Sequence, residues 1–337
     1  MFNYLEPPNA YYEFERIYTA EQWAKKQRWL INYLTEHQPD VIGFQEVFSI
    51  ESLKELVKEQ GYAYFDVVDE PQVIDDFIYK RSVVAIAAKY PIAEVATVEH
   101  DHELADTLGL TEDFTFSRKV LRATITLPHI GNTDCYVVHF KSKRSMIELD
   151  EQNKDLTPEK NIIELLKADI AGSWGSTIQR GSEATLLMID IIARRESTQN
   201  PMVLMGDFNN DLADGVLSHL LTNTLRFAPT FDSNTYLAKY CLNDAWQLFA
   251  RSQLNLANQN NENKVDLKRK PTHYFGASSS VLDYILLSCE FDSSYDDSFF
   301  EVSQYHTYDR HLINPEFERD DLSTDHGVVL ISLALRS

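Results

Sequence analysis

Cysteine is scarce in this 337-residue chain: Cys135, Cys241 and Cys289 make three, an odd number with no metal-ligand spacing. That disfavours both a disulfide scaffold and a structural zinc site. Glycine and proline are also thin, at 11 each. With no Pro/Gly/Ser linker and no repeat at a fixed period, one catalytic-size domain over residues 1–337 is the expectation. No window approaches the ~18 uninterrupted apolar residues that a membrane helix needs, so no membrane partner is expected. The start, Met1-Phe2-Asn3-Tyr4-Leu5-Glu6-Pro7-Pro8, lacks the basic and apolar regions of an export signal. As given the chain reads as cytoplasmic, or as secreted or periplasmic if a leader precedes it. Positive charge is short as well: 31 Lys+Arg face 52 Asp+Glu, a net −21. Such a surface repels polyanions at long range and argues against a passive nucleic-acid binder. It can still handle a phosphate ester when a bound divalent cation reverses the local field.

What is present suffices for a core: 44% hydrophobic, 12% aromatic and 25% charged residues describe a packed globular chain. Thr19 with Gln22 three residues on forms a capping box, Trp23, Leu30, Ile31 and Leu34 recur at helical spacing, and Pro39 stops the pattern. Val41 to Phe44 reads as a buried strand, and Leu53, Leu56 and Val57 as a second helix closed by Gly61. Strands follow at Tyr62 to Val68, Val83 to Ala88, Ile92 to Val98, Val120 to Leu127 and Cys135 to Phe140. About Leu156 to Glu196 reads as two helices, the first capped by Thr157-Pro158. Pro201 to Met205 is an apolar strand, Gln253 to Lys264 a solvated Asn/Gln-rich loop, and Glu290 to Glu301 a solvated acidic loop. Val281 to Ser288 and Val328 to Leu333 form a late pair of strands. Mixed helix and buried strand imply a layered α/β sheet architecture.

Polar groups collect where apolar strands end. Glu46 follows Val41 to Phe44, Asp207 and Asn209 follow Val203 to Met205, and Asp325-His326 precedes Val328 to Leu333. His139 lies in the alternating run Tyr136 to Phe140. Asp283 sits inside Val281 to Leu287, where a carboxylate is costly unless paired or metal-bound. Asp283 therefore needs a partner. Asp101-His102 reads as surface, and His306 and His311 as structural or rim residues.

Gln45-Glu46, Gly206-Asp207-Phe208-Asn209, Leu282-Asp283-Tyr284-Ile285 and Ser323-Thr324-Asp325-His326, in that order across nearly the whole chain, resemble the motifs of the endonuclease/exonuclease/phosphatase superfamily. Ala85 to Ile92 is similar to its internal strand and turn, and His139-Phe140-Lys141-Ser142-Lys143 to the H-x-K-S-K segment of its secreted bacterial nucleases. The resemblance implies a four-layer α/β/β/α sandwich of two mixed sheets, and a Mg²⁺-dependent phosphoesterase, with Mn²⁺ as the alternative ion. It implies a nuclease first, acting on nucleic acid, and a phosphatase or phosphodiesterase of lipid or soluble esters second.

The roles it implies make chemical sense, since phosphodiester hydrolysis needs a cation, an aligned water and a proton source. Glu46 would ligate the metal and Asp325 complete its surroundings. Asp207 would orient or deprotonate water, and Asn209 would hydrogen-bond the phosphoryl oxygen. His326, its tautomer held by Asp283, would bind or protonate the phosphate, and His139 would be the general acid. Arg118, Arg122, Arg180 (beside Glu183) and His273 are candidates for substrate contacts, although Arg180 also reads as a surface charge near a helix start. The start departs from the family pattern. Either Asn3 is the family's metal-binding Asn on a stub of strand, or the chain begins late and that strand is lost. The loop-like Tyr4 to Pro8 favours the second, and with it a catalytically silent binding protein as the rival of another class. No protein partner can be read from the sequence.

Overall fold

A computed structural model describes residues 2–111, 114–147, 157–221, 236–259, 267–296 and 298–336. The outer layer on one side is the helix Ala20–His37, entered through the Thr19–Gln22 capping box and left through Gln38 in the left-handed conformation. Its face of Trp23, Trp29, Leu30, Tyr33 and Leu34 is buried, as are Leu53, Leu56 and Val57 of the neighbouring helix Ile50–Glu59. Both cover a three-stranded sheet in which Val83–Ala88 runs antiparallel between Val41–Val47 and Tyr64–Val67. That central strand is buried on both faces: Ala85 and Ala87 meet the helices, while Val84, Ile86 and Ala88 meet the second sheet.

The second sheet has six strands, in the order Asn243–Asp244, Asp283–Leu287, Met202–Asp207, Gly131–His139, Leu121–Leu127, Ile92–Thr97. Met202–Asp207 is parallel to Gly131–His139 and antiparallel to Asp283–Leu287, so the sheet is mixed. Alternation along each strand then sorts side chains to two faces. Cys135, Val137 and Val203 point between the sheets, whereas Tyr136, Val138, Leu204 and Leu286 pack under Ala184, Leu187 and Ile191 of the helix Pro158–Thr198. Helix, sheet, sheet and helix follow in that order, the sandwich expected from the motifs. Among the described residues, no helix is long and apolar enough to cross a membrane.

Three local expectations fail. The two helices expected in 156–196 are one 41-residue helix. Its Gly172 does not break it: a Cβ there would lie 1.9 Å from Ser145 Oγ and 2.7 Å from the Ile147 nitrogen, so glycine permits close packing of the chain after Lys143. The Asn/Gln-rich stretch remains helical to Gln259 within Ala245–Gln259, having no Gly or Pro to stop it; residues 260–264 lie outside the described ones. The acidic segment after Glu290 is no simple loop, because Phe291 is fully buried and a strand, Phe300–Tyr308, begins within it. Short strands Gln72–Ile74 and Ile78–Arg81 went unread as well.

Candidate active site

The site is built on one row of the six-stranded sheet. Asp207 is the register partner of His139 on one side and of Asp283 on the other. All three share the parity of Val137, Met205 and Ile285 and therefore point between the sheets. Each is followed by an aromatic residue on the opposite face: Phe140, Phe208 and Tyr284 pack side by side, with both centroid separations 5.3 Å. This aromatic row braces the polar one. Gly206 lets the strands close up here, because with φ +146° a Cβ would sit 2.0 Å from the Val138 carbonyl oxygen. Past Asp207 the chain turns at Asn209, φ +53°, whose N–H donates to Asp207 Oδ1 at 2.8 Å and whose side-chain amide donates to the Phe140 carbonyl at 2.9 Å.

His326 arrives from outside this sheet, just before Val328–Leu335, which pairs antiparallel with Phe300–Tyr308 as a separate two-stranded sheet, and its Nδ1 stands 2.8 Å from Asp283 Oδ2. Asp283 thus has the partner its burial demands. Burial opposes the charged imidazole, but the carboxylates of Asp283 and Asp207 and the Asp283 hydrogen bond outweigh it and raise His326 to about 10. His139 behaves oppositely. Burial, then the positive charges of Arg118 and His326, hold it well below the usual histidine range. Its Nε2 is 3.5 Å from Asp207 Oδ2, longer than a good hydrogen bond. Burial, then the Asp283 charge, push Asp207 up to about 7.

Facing this row is Glu46. A bulge between Phe44 and Val47 resets the strand's alternation, so both of those residues face the helices while Glu46 takes φ +59°. The Asn3 N–H donates to Glu46 Oε2 at 2.9 Å, and Tyr4 pairs with Val47 in a parallel bridge. Asn3 therefore lies on a stub of strand beside Glu46, the reading that the sequence disfavoured. Non-glycine residues with positive φ cluster at functional sites, and Asn3, Glu46 and Asn209 are three of them. The Glu46 charge also opposes ionisation of Asp207, so the two carboxylates face a common cleft.

Two arrangements could be taken for a metal site. One potential ligand atom each from Asp207, Asp283 and His326 lies within 4.8 Å of the others, a grouping unique among the described residues. In that grouping His326 Nδ1 is already held by Asp283, and the neighbouring carboxylates favour the protonated ring, a form suited to an anionic phosphate. Glu46 and Asn3 suit a hard cation better. The Asn3 Oδ1 is buried with no hydrogen-bond partner, in a residue whose N–H meets the Glu46 carboxylate, and amide and carboxylate oxygens are the ligands that Mg²⁺ takes. Asp325 is exposed at the rim, where its charge acts on Lys26, His273 and His326.

A sequence model of the Endonuclease/Exonuclease/phosphatase family matches residues 14–288. The chain belongs to this family. No curated protein sequence matches it. Its fold is similar to that of the human Nocturnin catalytic domain with bound sulfate anion (14% identity, TM-score 0.52, covering 93% of this chain and 87% of that one). It is also similar to a humanized D. rerio TDP2 (13%, 0.52, 94% of each) and to TDP2 from C. elegans (13%, 0.51, 92% and 70%). At such identities the likeness speaks for the family fold.

The remaining candidates divide. Arg118 is half-buried near His139, its Nε without a partner. His273 bridges the backbone of His326, with ring centroids 5.1 Å apart. Arg122 is not in the cleft. It shares the register row of Tyr136, on the helix-covered face, and is bound to Glu94 at 2.7 Å. Arg180 is no surface charge: it is 3% exposed and donates to the Lys141 carbonyl at 2.9 Å. Its neighbour Glu183 accepts the N–H groups of Ser117 and Lys141, both at 2.7 Å. That pair anchors the strand end carrying His139 and the segment carrying Arg118. Lys26 went unread. Buried, it donates to the carbonyls of Leu322 and Ser323 at 3.4 Å and feels the charges of Glu46 and Asp325. A lysine on the apolar face of a helix was its only sequence signal.

Proposed function

We propose that this chain is a Mg²⁺-dependent phosphodiester hydrolase, with Mn²⁺ able to substitute, that acts on nucleic acid, and that residues 1–337 work as one catalytic domain. The observation that carries the reading is the register row of His139, Asp207 and Asp283, with His326 bonded to Asp283 at its end and Glu46 across the gap. Glu46 and the Asn3 side-chain carbonyl would hold the ion, with Asp325 adding negative charge at the rim. A cation there neutralises charge on the phosphate.

The chain's own groups divide the proton work. Asp207, poised near neutrality by burial, takes a proton from the attacking water. The second amide hydrogen of Asn209 donates to the phosphoryl oxygen as its charge grows. Asp283 keeps His326 protonated, and His326 binds the phosphate and supplies the proton to the leaving oxygen. His139, buried beside Asp207 and kept neutral, packs against the general base rather than acting as the general acid, which revises the role implied by the motifs.

Support for nucleic acid comes from the H-x-K-S-K segment and from the positive charge about the row: Arg118 and Arg144 act on Lys141, Arg118 acts on His139, and Lys143 acts on His273. A second reading, a lipid or soluble phosphoester, is favoured by the net charge of −21. The silent-binder reading loses its ground, since it rested on a missing Asn and Asn3 stands beside Glu46. The test is a panel of plasmid, single-stranded oligonucleotide, sphingomyelin and inositol phosphates with Mg²⁺ or Mn²⁺. Nucleic-acid cleavage that falls steeply with added salt is expected. Turnover of only a lipid or inositol phosphate would replace the substrate assignment, and no turnover at all would refute the reading.

A further inference from the structure

A cavity of about 340 Å³ lies outside the register row, between the chain that leads into the helix Ala20–His37 and the segment before Asp325. Its size is at the low end of the ~300–1,000 Å³ of ligand pockets. Phe2, Tyr11 and Tyr18 give it aromatic walls, with the two tyrosine rings 5.1 Å apart. Lys26 Nζ stands over two of the rings, 5.7 Å from the Phe2 centroid and 5.4 Å from that of Tyr18. The cavity adjoins the Glu46 and Asn3 corner of the cleft. Phe2 precedes Asn3, the lining Ser323 lies two residues before Asp325, and both Tyr18 and Lys26 feel the charges of Glu46 and Asp325.

The lining selects for a flat, neutral, partly polar group. Its charges cancel, Lys26 and Arg16 against Glu15 and Asp321, so it suits a second phosphate less than the Arg118 and Lys141 side of the cleft does. An ammonium has three N–H groups. Lys26 spends two of them on the carbonyls of Leu322 and Ser323, both at 3.4 Å, which leaves a third for a ligand. An acyl chain would bury that ammonium with no further acceptor, at a cost. A nucleobase answers both features, since its faces stack on aromatic rings and its edge carries acceptors for a buried donor. A base in a duplex has its edge paired and its faces stacked, so it must be unpaired before it can enter. We propose that this cavity takes one unpaired nucleobase next to the scissile phosphate, and that the enzyme therefore prefers single-stranded nucleic acid. The inference rests on the nuclease reading above.

On an end-labelled oligonucleotide with Mg²⁺, kcat/KM should be roughly tenfold or more higher for the free strand than for the same strand annealed to its complement, the effect of one stacked base. Phe2→Ala, at a side chain 37% exposed, should lower the single-strand value by about tenfold and the duplex value by less, whereas a merely structural role would lower both alike. A binding measurement needs no turnover. With millimolar adenosine as the probe, saturation-transfer NMR should pass signal from the wild type to the base protons. Ile17→Trp, which crowds the cavity from its rim, should abolish it. Should adenosine behave in this way while neither strand form is cut, the nuclease reading falls and the base site stands. Equal cleavage of single and double strands overturns the proposal. So does adenosine that receives no saturation, or that receives as much from Ile17→Trp as from the wild type.

Discussion

Replacing Asp283 by Asn removes one charge while leaving an oxygen able to accept from His326 Nδ1. In the native protein that carboxylate, helped by Asp207, raises His326 to about 10 against the opposing effect of burial. Without it, burial acts with less opposition, and the imidazole should fall back toward its ordinary 6.5. If His326 must be protonated to act, the variant loses active form about tenfold for each pH unit above 6.5, or roughly 30-fold at pH 8 from protonation alone. Near pH 6 the deficit should be small. The check is kcat/KM against pH from about 6 to 9.5 at saturating Mg²⁺, where the alkaline limb should move down by about one to three units. Stability follows the same sign. A folded-state pKa raised above 6.5 gives stabilisation that is complete below about pH 6.5 and lost as pH rises through about 10. The wild-type advantage in urea midpoint should therefore be widest near pH 6 and close toward pH 10. A variant whose alkaline limb coincides with that of the wild type would refute the assignment of His326 as the protonated group.

Glu46→Gln should raise the Mg²⁺ concentration for half-maximal rate by about tenfold or more, read by metal titration, since removal of a charged ligand costs more than a change in its surroundings. Arg122→Ala, outside the cleft, should leave kcat/KM within twofold while lowering the urea midpoint slightly through loss of its bond to Glu94. Glu183→Gln should cost ~1–3 kcal/mol in urea unfolding, because its buried carboxylate holds the Ser117 and Lys141 amides. Gly206→Ala should cost more than ~4 kcal/mol, since its Cβ would meet the Val138 carbonyl oxygen at 2.0 Å, and loss of soluble folded protein would register it.

Much of the fold was legible because its cues are local. The Thr19–Gln22 box, the stop at Pro39 and the apolar strand Val83–Ala88 each declare themselves within a few residues. The strand Phe300–Tyr308 escaped for a physical reason: a bulge between Val302 and Gln304 shifts the buried positions from Phe300 and Val302 to Tyr305 and Thr307, erasing the period of two. The site was legible as a set of strand-end residues, and Asp283's need for a partner followed from burial alone. Register was not legible. Nothing in the spacing of 139, 207 and 283 reveals that they form one row, although the recurring His-Phe, Asp-Phe and Asp-Tyr pairs are its trace. Asn3 was ambiguous because a one-residue bridge has no periodicity, and Arg122 was misplaced because parity on a strand says nothing of which face carries the site.

The account stands most directly on Asp207. Wild type and Asp207→Ala should be compared for Mg²⁺-dependent cleavage of an oligonucleotide at pH 7, with circular dichroism confirming equal folding. The account predicts turnover in the wild type and a loss of ~10² to 10⁴-fold in the variant. Equal rates in two equally folded proteins would contradict it.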